Sequence, residues 1–216
     1  MKIQPHSIEV DTEKMQAATL ELSEFFNQLC WKFGDWGMAE KWALVFMPVA
    51  LNRWSGWCDF TNSRVYLNTV ALARDLSKSD DLNDWKGLVV HEFCHAWVNE
   101  AYPFMNESCH SFRFHVTVCL LLAKHGLAWD KRLYNLCNSQ NDAYHFTPRV
   151  LFRMCRFLAR RLDGFDSLKE RLQLLLFHFN TNPKTCGRVF QNARMQTNEW
   201  RDLYFEEKGK ATQQSI

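Results

Sequence analysis

His91-Glu92-Phe93-Cys94-His95 constrains this chain more than any other stretch of it. The pattern is H-E-x-x-H. On a helix, residues four apart share one face, so both imidazoles reach a single Zn²⁺. Glu92 then faces a water activated by that ion, where a carboxylate acts as general base. The segment must therefore be a helix that buries one side and keeps the histidine side near solvent. Leu88, Val89, Val90, Phe93, Ala96 and Trp97 supply the apolar side. Asp80 or Asp81 is positioned to cap this helix, Asp84 lies in its first turn, and Pro103 stops it soon after Glu100. The competing reading is two histidines packed on a core helix, which needs no metal.

A catalytic zinc takes three protein ligands and keeps one position open. In a metzincin the motif would continue with Gly and His where this chain has Val98 and Ala101, so that group is excluded. Glu100 belongs to the motif helix and is expected to face elsewhere. His110 opens the next expected helix and is the first choice for third ligand, with Glu107 and His115 as the alternatives. A fourth protein ligand, from Cys94, Cys109 or Glu107, would close the site and make the zinc structural.

The remaining elements follow from periodicity. Apolar residues at helical spacing run from a cap at Asp11 or Thr12 to Phe33, and Gly34 and Gly37 break the chain. KWALVFMPVA, RWSGWCDF and RVYLN read as a small antiparallel sheet, the last two joined at Thr61-Asn62-Ser63. A helix through HSFRFHVTVCLLLAKH, capped by Asn106 or Ser108, ends at Gly126 as its C′ residue. From Ala128 onward the expected structure is helical. The fold class is thus α+β.

At 216 residues, with 47% hydrophobic and 23% charged residues, the chain supports a well-buried core. The seventeen Phe and nine Trp belong mainly to that core. The eight Cys form no C-x-x-C pair, and several sit in apolar runs such as VTVCLLLA. This fits a reduced compartment and excludes a zinc ribbon. There is no secretory h-region and no membrane-length apolar run, so a soluble intracellular protein, cytoplasmic or nuclear, is expected with no membrane partner. No small-molecule cofactor is expected either.

The zinc-motif region resembles the SprT-like (Spartan-like) metalloprotease domain. In that family H-E-x-x-H is followed about fifteen residues later by a third His in an H-x-x-x-F setting. Here His110-Ser-Phe-Arg-Phe114 follows His95. The upstream order of helix, short sheet containing WSGWCDFTNSRVYLN, and motif helix is also similar. The likeness covers roughly residues 10–127. Ser111 stands where the family often has Gly, and the family's zinc ribbon and ubiquitin- or clamp-binding motifs have no counterpart. The resemblance implies a zincin-like protease domain over residues 1–128, followed by a helical region over 129–216. It implies His91, His95 and His110 as ligands of one Zn²⁺, with Glu92 as general base. It also implies protein substrates bound or crosslinked to DNA.

Charge is divided unevenly. Residues 1–148 carry 13 Lys/Arg against 17 Asp/Glu, and residues 149–216 carry 13 against 7. Arg149, Arg153, Arg156 and Arg160 fall on one stripe of the helix in TPRVLFRMCRFLARRLDGF, with no acidic residue at i±4. Val150, Leu151, Met154, Phe157 and Leu158 occupy its other faces. A phosphate backbone would neutralise the stripe. A solvated face, or pairing with the acidic N-terminal part, is the competing account.

The expected function is a zinc-dependent endopeptidase acting on nucleic-acid-associated proteins. Two other classes compete with it. One is a non-catalytic, zinc-stabilised module that binds or inhibits another protein. The other is a protease with one dedicated protein substrate and no use for DNA.

Overall fold

Leu22, Phe26, Leu29 and Phe33 are fully buried on one stripe of α1 (Thr12–Phe33), the helix expected from their spacing. The computed structural model describes residues 12–35, 37–49, 54–103, 110–128 and 148–181. After α1 come a short α2 (Met38–Lys41), strands β1 (Ala43–Met47), β2 (Gly56–Asp59) and β3 (Arg64–Asn68), and α3 (Thr69–Leu76). The motif helix α4 (Asn83–Ala101) and α5 (Phe112–Lys124) follow. The described chain resumes with α6 (Pro148–Ala159) and α7 (Phe165–Thr181). Among the described residues the fold is α+β, seven helices around one three-stranded sheet.

The sheet is mixed, which corrects the expectation of an antiparallel one. Strand order is β1-β3-β2, with β2 antiparallel and β1 parallel to β3. The tight turn after Asp59 joins β2 to β3 as expected. Asp59 Oδ1 accepts from the backbone N–H of Thr61 and Asn62, and Ser63 takes φ 52°. The link over residues 48–55 is what the sequence reading missed. Met47 and Gly56 lie opposite Asn68 and Leu67, so β1 ends and β2 begins at the same end of the sheet. These two strand ends stand about 10 Å apart, two strand spacings, with a central slot for β3 between them. A strand antiparallel to β2 in that slot is necessarily parallel to β1.

Asn68 fastens this end of the sheet. Its side chain accepts from Val49 N at 3.2 Å and donates to Trp54 O at 3.0 Å. Its backbone N–H donates to Ser55 O at 2.9 Å. The same Oδ1 accepts from Val70 N at 3.0 Å, which makes Asn68 the N-cap of α3.

The N-cap of α4 is Leu82, not Asp80 or Asp81, and it makes no side-chain cap. Asp81 instead accepts from Asn83 N at 2.9 Å, one step before the first turn. Asp84 is in that turn, and the helix ends at Ala101 before Pro103. Val89, Val90, Phe93, Ala96 and Trp97 are buried against α1, α5 and the sheet. Trp97 Nε1 donates to Phe33 O at 2.6 Å, locking α4 to the end of α1. Each large side chain buried here contributes roughly 1.5–3 kcal/mol.

The α5 helix ends as expected, with Gly126 at φ 66°. Met154, Phe157 and Leu158 of α6, and Leu168, Leu172 and Leu175 of α7, join the same hydrophobic core as α4 and α5. Among the described residues, Cys30, Cys58, Cys94, Cys119 and Cys155 form no disulfide. Among the described residues no helix is long and apolar enough to cross a membrane.

Candidate metal centre

His91 and His95 project from the same face of α4, one turn apart, with ring centroids 5.0 Å from each other. His110 closes the triangle, 5.5 Å from His91 and 4.8 Å from His95. One ring nitrogen from each lies within 4.8 Å of the others, and all three residues are half-buried. This group can hold a metal ion. Burial holds the His110 imidazole below its ordinary value, which favours the neutral form that a metal requires.

His110 is not on a helix, contrary to the expectation. Ser111, rather than Asn106 or Ser108, caps α5, its Oγ accepting from Phe114 N at 3.3 Å. The helix therefore starts at Phe112 and leaves His110 in the turn before it, free of helical geometry and facing α4. Serine at position 111 serves as cap, a role that a side-chain-less residue fills less well.

The three rings share a floor. Phe114, 1% exposed, stacks on His95 at 4.1 Å and 19° and meets His91 and His110 edge-on at 4.9 and 5.1 Å. An aromatic ring in that place restricts the rotation of each imidazole and keeps water from beneath the triangle.

Glu92 follows His91 on α4 and is only 5% exposed. Desolvation pushes its carboxyl up to about 8 in the metal-free chain. The strand β2 covers it. Gly56 sits so close that a side chain there would touch Glu92 Cγ and Oε1. The Cys58 thiol is pushed up by burial first, and then by the negative charges of Glu92 and Asp59.

The other expected candidates are elsewhere. Cys94 is fully buried on α4 and outside the metal group, and burial raises its thiol well above the ordinary range. Among the described residues the group has three members. Glu107 and Cys109 lie outside the described residues. Glu100 faces away, accepting from Lys41 Nζ at 2.5 Å and Trp42 Nε1 at 3.1 Å. His115 is 1% exposed inside α5, stacked behind His110 at 6.1 Å. Its ring nitrogens have no hydrogen-bond partner among the described residues, and burial with the adjacent His110 lowers it to about 4.

Arg156 on α6 is exposed, and so is Arg160, which lies in the turn just past the helix end at Ala159 rather than on the helix as expected; its guanidinium is 5.5 Å from the centre of the Phe157 ring. The side chains of Arg149 and Arg153 lie outside the described ones.

Gly56 and Asn68 escaped the sequence reading. A glycine inside a strand pattern signals close approach by another group, and an Asn before a helical run signals a cap; both signals were present. Comparison with family models, with curated proteins and with solved structures finds no match to this chain.

Proposed function

We propose that this chain is a zinc-dependent endopeptidase with a zincin-like domain of the SprT type, acting on nucleic-acid-associated proteins. The observation that carries the reading is the convergence of His91, His95 and His110 within 4.8 Å, with the buried Glu92 next to His91 on the same helix. Three neutral imidazoles are a donor set suited to Zn²⁺. When bound, zinc supplies the Lewis acidity that acidifies a water and polarises a scissile carbonyl.

The chain's own residues do the rest. His91, His95 and His110 hold the ion, and Phe114 fixes their rings. Glu92 accepts the proton of the attacking water and delivers it to the leaving amine. Burial raises this carboxyl and a nearby dication lowers it, so its basicity is set from opposite sides. At one edge of the described sheet, β2 begins at Gly56, against Glu92. Among the described residues no strand pairs with the outer side of β2, and such an edge offers backbone N–H and C=O groups that hold a peptide extended past the base.

Nucleic acid enters through charge. The exposed Arg156 and Arg160, and the net positive charge of residues 149–216, support a phosphate-binding face.

The test uses fluorescently labelled core histones, free and bound to DNA, incubated with wild-type protein and with Glu92→Gln. Wild type should bind zinc and cleave, most strongly when DNA is present, and Glu92→Gln should bind zinc without cleaving. Cleavage by the variant, or a protein that takes up no zinc, defeats the protease reading. Cleavage indifferent to DNA, and to charge reversal at Arg156 and Arg160, leaves a protease without the nucleic-acid partner.

A further inference from the structure

A Cβ placed on Gly56 would stand 3.2 Å from Cγ and 3.2 Å from Oε1 of Glu92, and 3.1 Å from Cδ2 of Leu67. Favourable contact between such atoms begins at about 3.5 Å, so all three approaches are too close. Something must yield, and the surroundings decide what.

The β2 backbone is held on both sides of this point. Asn68 donates its N–H to Ser55 O at 2.9 Å and its Nδ2 to Trp54 O at 3.0 Å, and Gly56 is itself paired with Leu67 in the β2–β3 ladder. Leu67 is fully buried and close-packed in the core. The Glu92 side chain is the softest neighbour, because its rotatable torsions let Cγ and Oε1 swing while the α4 backbone stays in place.

We infer that Gly56 is a positioning residue for Glu92: the missing side chain leaves the space in which the carboxylate takes up its working place beside the histidine triangle. The inference rests on the protease reading above. It explains why a strand forgoes a side chain where β2 passes against Glu92 of α4, although glycine weakens a strand interior. A carboxylate displaced by a few tenths of an ångström still exists, still carries its charge, and leaves the histidines untouched. What it loses is alignment with the proton that it must take. A displacement near 1 Å costs about a hundredfold in rate, so a few tenths should cost about tenfold.

The test is Gly56→Ala in the full chain, with cleavage of the labelled DNA-bound histones as readout. The expected result is a kcat about tenfold lower, KM within about twofold of wild type, and one zinc per chain as before. Crystal structures of wild type and Gly56→Ala should show the Glu92 carboxylate shifted and the three imidazoles in place. An unchanged kcat with zinc bound overturns the inference. Loss of zinc or of folding in Gly56→Ala overturns it too, since the glycine then serves the fold and not the base. If wild type binds zinc but cleaves nothing, the protease reading fails alone, and the position of Glu92 in the two crystals still decides this one.

Discussion

The ring of Phe114 lies nearly parallel to that of His95, with 4.1 Å between centroids and 19° between planes. That stack is one side of a socket, because the same ring meets His91 and His110 edge-on. Phe114 donates nothing to a metal, yet it limits where all three donors point. Phe114→Leu preserves most of the buried volume and removes the flat face. Zinc affinity should fall about tenfold to a hundredfold while thermal stability changes little. Competition against a chelator of known affinity reads the effect, and an unchanged zinc affinity would remove Phe114 from the site.

Glu92 should make the metal-free protein less stable in alkali. Its carboxyl is raised by burial from 4.5 to about 8, so the fold favours the protonated form. The stabilisation it provides is fully present below pH 4.5 and is lost as pH rises through about 8. Glu92→Gln mimics the neutral form at every pH. Metal-free Glu92→Gln should therefore gain on wild type by a few kcal/mol between pH 5 and pH 9. Denaturant unfolding of both proteins across that range checks this, and parallel pH curves would show that Glu92 is solvated.

His115 acts on the acid side. Burial and the neighbouring His110 lower it from 6.5 to about 4, so the fold favours its neutral form. Its contribution is present above pH 6.5 and is lost as pH falls through about 4. Between pH 7 and pH 3.5 metal-free wild type should lose about 3 kcal/mol more than His115→Gln does. His125 is lowered in the same direction, by burial and then by Lys32 and Lys124, and adds to the acid lability of both proteins equally. Equal losses in the two proteins would place His115 in contact with water.

Asn68→Ala should cost about 3 kcal/mol. It leaves the N–H groups of Val49 and Val70 and the carbonyl of Trp54 without the partner they have at a residue 1% exposed. Because these bonds hold the link before β2, activity should fall along with stability. A loss under 1 kcal/mol in equilibrium unfolding would mean that water replaces the side chain.

Much of this was legible in the chain because local rules suffice for it. The buried stripe Leu22, Phe26, Leu29, Phe33 writes α1 directly, and His91 and His95 share a face whatever else the chain does. His110 was legible as a ligand but not as a turn residue, because Ser111 and Ser108 are equivalent caps until packing selects one. The parallel pairing of β1 with β3 depends on β3 settling between β1 and β2, which no local pattern encodes. Gly56 was visible as a glycine in a strand. That its neighbour is Glu92 depends on two elements far apart in sequence meeting in space.

Titration of metal-free protein with Zn²⁺, for wild type and His110→Ala, tests the central claim most directly. The metal centre described here predicts one site per chain in wild type, and an affinity at least about a hundredfold weaker without His110. No zinc binding by wild type, or equal affinity in both proteins, would contradict it.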